Sequence, residues 1–339
     1  MALARRVFDF KIPGPLVPMF LVGLGLVASL AMIRAQDGGW GGPGHAPQIV
    51  ESRKIEIGGG VVQVDFAAGK LDLAADAVVR HVRMAAEAVA AFYGRLPVSP
   101  TRVLIVPVPG RGGIVQGTTW GDMHGMPAFT RFRLGEHATA EDLAGDWMMT
   151  HELVHTAFPS LPDGEEWMEE GLSTYIEPLA RVATGDLTAR SVWRDMLRDM
   201  PKGEPQPGDE GLDHTHTWAR TYWGGALFCL SADVEIHKQT GNRKGLRDAL
   251  RAIVESGGTI DHDWDLPRAL AVGDRATGTH VLVSQYTAWK DAPVKVDLEK
   301  LWSELGVRAT ADGVEFVRDA PLAKVRQAIM EKTVADTAR

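Results

Sequence analysis

The chain of 339 residues has one cysteine, Cys229. An internal disulfide is therefore impossible, and any metal site must be built from histidine and carboxylate. A basic excess is also missing: Lys plus Arg total 36 against 44 for Asp plus Glu, a formal charge of −8. No overall positive field draws such a chain to nucleic acid. Internal repeats are absent as well. What is present is an ordinary globular composition, 45% hydrophobic and 24% charged, long enough for one large domain or two smaller ones.

The amino terminus stands apart. Arg5, Arg6 and Lys11 precede an uncharged, mostly apolar stretch at 12–33. Its length falls between the roughly 7–15 apolar residues of a signal peptide and the roughly 20 of a spanning helix. Residues 1–36 thus read as an export signal or a membrane anchor. The preceding positive charges would keep that end in the cytoplasm and place the rest outside it, in a periplasm or the extracellular space. A Gly/Pro-rich linker follows at 37–53.

Alternating apolar residues at 54–66 around a Gly-Gly-Gly turn predict a hairpin, and the Ala-rich segment 73–93 has helical spacing. A strand at 102–108, a Gly-rich stretch at 110–125 and a second strand at 126–134 complete a mixed sheet with one covering helix, a lobe spanning 54–136. From Thr139 the pattern turns helical. Thr139 and Asp142 resemble a capping box and would start a helix running to about Phe158, before Pro159. Further helices are expected at 165–182 and 218–239, with an exposed loop at 201–213. The class is α+β, with a helical lobe at 137–330 and a short tail at 331–339.

The chemistry centres on His151-Glu152-Leu153-Val154-His155, an HExxH motif inside the first of these helices. A spacing of four brings both imidazoles to one face, about one turn apart, close enough to share a tetrahedral metal ion. Glu152 then stands beside the open position, where it can take a proton from a water that the metal has made more acidic. A third protein ligand is needed. The next helix offers Glu169 and Glu170 in Trp167-Met168-Glu169-Glu170-Gly171, and Glu170 is preferred. Fourteen residues separate it from His155, enough for a turn and an antiparallel return helix. Glu165 and Glu166 fit a solvated helix start favoured by the helix dipole. Gly171 fits poorly in a mere helix start, because it weakens the helix and is useful where something approaches the backbone closely.

HExxH followed on the next helix by W-x-x-E-G resembles the gluzincin metallopeptidases. The likeness extends through Thr221-Tyr222-Trp223-Gly224-Gly225-Ala226-Leu227-Phe228-Cys229-Leu230, Ala232-Asp233-Val234-Glu235-Ile236 and Thr240-Gly241-Asn242, and to a closing segment at 301–329. It is similar there to the glycyl aminopeptidase family. The resemblance implies a thermolysin-like fold with the zinc site between a sheet lobe and a helical lobe. It also implies Zn2+ on His151, His155 and Glu170, and peptide or protein substrates. Tyr222 would donate to the oxygen that becomes negative during attack on an amide.

Thr174, four residues past Glu170, is a candidate brace for a ligand, although a mid-helix Thr more often packs. His214 and His216 read as loop histidines. One departure bears on substrate: related aminopeptidases grip the free amine with a Glu on a Gly-rich strand, and the nearest counterpart here, Gly112-Gly113-Ile114-Val115-Gln116-Gly117, has Gln116. The alternative reading is a non-catalytic, metal-stabilised domain tethered at the membrane that binds peptides or a partner. Retention of Glu152 argues against it, since zinc can be held without a base.

Overall fold

The computed structural model describes residues 47–331 except residue 124. The expected leader at 1–36, most of the linker and residues 332–339 lie outside the described residues. Among the described residues no helix is long and apolar enough to cross a membrane.

The predicted hairpin is β1 (Ile49–Ile57) and β2 (Gly60–Ala67). Its first strand begins at Ile49 rather than at residue 54, so the end of the expected linker is strand. Gly58 and Gly59 turn it with φ of 56° and 76°, a region that favours glycine. After α1 (Ala75–Tyr93) come β3 (Thr101–Val108), β4 (Ile114–Met123) and β5 (Met126–Gly135). The strands lie in the order β1-β2-β3-β5-β4, with β2, β3 and β5 mutually parallel and both edge strands antiparallel to their neighbours. Most of the Gly-rich stretch is therefore the edge strand β4.

Alternation along the strands sends Val62, Val64, Phe66, Val103, Ile105, Phe132 and Leu134 to one face. These residues join a single apolar cluster that runs from Ile55 to Met330, so sheet and helices share one core. The opposite face carries a small cluster of Ala67, Leu104 and Phe129.

The capping box forms: Thr139 accepts from the Asp142 N–H and Asp142 from the Thr139 N–H. The helix it starts is shorter than expected. It ends as α2 (Ala140–Ala144), and the chain restarts as α3 (Met148–Val154). The restart has a cause in Asp146, whose carboxylate accepts from the N–H groups of Met148 and Met149, both at 3.0 Å. The same carboxylate lies 2.9 Å from His81 on α1, which fixes α3 against that helix. A 3-10 turn, His155–Ala157, then leads into extended Phe158 before Pro159.

α4 (Glu166–Thr184) and α5 (Ala189–Asp199) follow, and a 3-10 turn at Met200–Gly203 opens the segment expected to be loop. The helix predicted at 218–239 is two things. Ala219–Gly224 is a π turn, continuous with α6 (Gly225–Thr240). The remainder comprises α7 (Leu246–Glu255), α8 (Leu266–Thr277), α9 (Val281–Trp289), α10 (Leu298–Leu305), the small hairpin β6 (Val307–Thr310) and β7 (Gly313–Phe316), and α11 (Ala323–Ile329).

Candidate metal centre

α3 delivers His151 and Glu152, the turn after it delivers His155, and α4 returns to deliver Glu170. The Glu170 Oε2 lies 3.1 Å from His151 Nε2 and 3.6 Å from His155 Nε2. All three donor atoms fall within 4.8 Å of one another. Burial is deep on the α3 side, where His151 is 3% exposed. Burial alone would raise the Glu170 carboxyl, but the His155 and His151 imidazoles beside it hold it well below the usual range. For His155 the balance runs the other way. Burial pushes it down, yet the Glu170 carboxylate outweighs that and brings it up to about 9.

Glu169 points elsewhere, accepting the Leu161 N–H at 2.8 Å. It thereby ties the turn between α3 and α4 to the start of α4. Glu165 is not simply solvated: its carboxylate accepts from Tyr286 at 3.2 Å and from the Leu266 N–H at 3.3 Å. Trp167 donates to Asp213 at 2.8 Å, and Tyr286 donates to the same carboxylate. The segment leading into Glu170 is thus anchored at Glu165, Trp167 and Glu169.

Thr174 does not reach either histidine ring of the cluster, since its hydroxyl donates to the Glu170 carbonyl one turn back. The residue that braces a histidine is its neighbour Ser173, fully buried, with Oγ 3.2 Å from His155 Nδ1. Sequence reasoning missed it. Such a contact fixes which ring nitrogen faces the ligand cluster.

Glu152 lies between α3 and the edge strand β4. Thr119 Oγ1 is 2.8 Å from its carboxylate and 2.9 Å from its carbonyl. A Cβ on Gly117 would come within 2.6 Å of Glu152 Cγ, so glycine there makes room for the carboxylate. Burial raises the Glu152 carboxyl, against the lowering effect of the two histidines. Because Gly117 and Thr119 face Glu152, Gln116 faces the other side of the sheet, where Arg133 donates to it at 3.3 Å.

Tyr222 stands on the π turn with its ring stacked on His151, centroids 6.1 Å apart and planes 19° apart. Burial, then the Glu170 and Glu152 carboxylates, push its phenol far up, so it stays protonated and can donate. Its place depends on glycines. A Cβ on Gly171 would lie 2.2 Å from Gly225 Cα, and one on Gly225 would lie 2.1 Å from the Trp167 carbonyl. The backbones of α4 and α6 therefore touch beside Glu170 and Tyr222, the close approach that Gly171 suggested.

His214 and His216 are exposed and outside this cluster; His214 pairs with Asp291 at 2.9 Å. Asp72, Glu136 and His137 form another group of potential ligands, but it lies at the surface and Lys70 sits 3.2 and 3.1 Å from its two acids.

The architecture, α+β with a mixed five-stranded sheet, has a counterpart among solved structures. The chain is similar to an aminopeptidase N family protein from Idiomarina loihiensis, with a TM-score of 0.55 and 13% identity, covering 76% of this chain and 49% of that one. It also matches an M1 zinc metallopeptidase from Deinococcus radiodurans (TM-score 0.46, 15% identity, 72% and 53% covered) and the yeast LTA4 hydrolase (0.43, 13%, 76% and 44%). This chain spans about half the length of these structures. No protein-family model matches the sequence, and no curated protein matches it. The gluzincin resemblance read from the motifs is thus met at the level of the fold.

Proposed function

We propose that the chain is a zinc-dependent metallopeptidase in which His151, His155 and Glu170 hold the metal, Glu152 is the general base and Tyr222 donates to the developing oxyanion. The reading places the site between a sheet lobe at 54–136 and a helical lobe at 137–330, in the thermolysin-like manner. One observation carries it. Metal–ligand bonds of about 2.0–2.2 Å in a tetrahedron require donor separations of about 3.3–3.6 Å. The separations from Glu170 are 3.1 and 3.6 Å, so the donor set fits zinc.

Zinc in that position supplies Lewis acidity, making a water easier to deprotonate and polarising the scissile carbonyl. Glu152, held by Thr119 and raised by burial, takes the proton and returns it to the leaving nitrogen. Tyr222, kept protonated by its surroundings, donates to the carbonyl oxygen as it gains charge. Ser173 keeps the His155 ring turned toward the ligand cluster. A tethered binding domain would need none of the base machinery.

Peptides or proteins are the substrates of this reading, with no role for nucleic acid. Arg5, Arg6 and Lys11 ahead of 12–33 support export, with the catalytic part periplasmic or extracellular and anchored if the leader is retained. The test is to incubate the zinc-loaded protein with a mixed peptide library and read the cut sites by mass spectrometry. Zinc-dependent cuts support the reading and show whether they are terminal, as in an aminopeptidase, or internal. An uncut library overturns it.

A further inference from the structure

Four large apolar side chains are markedly exposed among the described residues: Val50, Met84, Trp147 and Trp218. Both tryptophans stand at the candidate metal centre. Trp147, 36% exposed, lies one turn before His151 and meets its ring edge to face, centroids 5.3 Å apart and planes at 89°. Trp218, 45% exposed, lies one turn before Tyr222 and stacks on it at 6.0 Å and 28°. With His151 and Tyr222 themselves stacked, four rings run in a row, Trp147, His151, Tyr222 and Trp218. Both tryptophans keep part of their surface in solvent.

An indole is the largest apolar side chain, and leaving much of it in water forfeits burial that a bound partner can recover. Here the two exposed indoles flank a metal ligand and the tyrosine beside it. A peptide whose carbonyl reaches Tyr222 brings the side chains next to that bond alongside them. An aromatic ring in that position continues the edge-to-face and offset contacts already present in the row.

We propose that Trp147 and Trp218 set substrate preference, selecting peptides with an aromatic or large aliphatic residue flanking the bond that is cut. This inference rests on the metallopeptidase reading of the same site. The experiment compares matched peptides carrying Phe or Ala on either side of one scissile bond. The protein is full-length and zinc-loaded, as parent, Trp147→Ala, Trp218→Ala and the corresponding Phe variants. The parent is expected to favour Phe peptides in kcat/KM by roughly ten- to a hundred-fold. At least one Ala variant should bring that ratio close to one, while its Phe counterpart retains most of it. Using the ratio within each variant cancels any loss of folded protein.

A parent that cuts without apolar preference, or one that prefers Lys and Arg peptides, overturns the inference. So does a preference unchanged in both Ala variants. If the parent cuts nothing, the metallopeptidase reading has failed separately. Calorimetric binding of the same Phe and Ala peptides to the zinc-loaded parent then decides the inference, and equal affinities overturn it.

Discussion

Gly171 and Gly225 bring the backbones of α4 and α6 into contact one residue from Glu170 and three from Tyr222, with no room for a Cβ on either. Gly171→Ala would therefore push apart the two elements that carry a candidate metal ligand and the candidate oxyanion donor. Overpacking of backbone against backbone costs about 1–3 kcal/mol, and this close pair belongs at the upper end. Urea unfolding of the metal-free protein should show a loss of about 3 kcal/mol. An unchanged midpoint would mean that the helices separate freely and that their contact does not set the site.

Ser173 and Thr174 make opposite predictions despite being neighbours. Ser173→Ala removes the contact to His155 Nδ1 and is expected to weaken zinc binding by roughly 10–100-fold, the usual effect of losing a partner that orients a ligand. Thr174→Ala removes only a bond to its own helix and should leave affinity near the parent value. Competition with a chelator measures both. Equal effects of the two changes would rule out the orienting role.

Zinc uptake should release a proton. In the metal-free protein, burial pushes His155 down, but the Glu170 carboxylate brings it up to about 9. A ligand imidazole must be neutral, so below about pH 9 binding displaces that proton and apparent affinity rises with pH. Stability runs the opposite way. Because the folded value is raised, the pair's contribution to the metal-free protein is full below the unfolded value of 6.5 and is lost as pH rises through about 9. Calorimetry at pH 7 in buffers of different ionisation heat is expected to give about one proton released per zinc. No release would show His155 already neutral.

The centre was legible in the sequence wherever one helix fixes the geometry. Four-residue spacing placed His151 and His155 together, and an acid one helix later placed Glu170. Spacing could not separate Ser173 from Thr174, because i+3 and i+4 from Glu170 both lie near its face. Nor did it reveal the break before α3, since Leu143, Trp147 and His151 keep a four-residue period across it. The Gly145-Asp146 pair was the available signal, an acid placed to cap a new helix.

The edge strand was obscured for another reason. Gly117 and Gly121 look like loop residues, yet each is a strand position where a Cβ would meet the Glu152 side chain at 2.6 Å or the Ile260 carbonyl at 1.9 Å. Those neighbours are 35 and more than a hundred residues away, beyond any local pattern. The π turn under Tyr222 likewise has no sequence signature.

The most direct measurement pairs metal content with turnover in Glu152→Gln. The substitution keeps the size of the side chain and its contact with Thr119 but removes the base. The account predicts about one zinc per chain in parent and variant alike, with peptide hydrolysis reduced by roughly 10²–10⁴-fold in the variant. Equal hydrolysis by the two proteins, at equal zinc content, would contradict it.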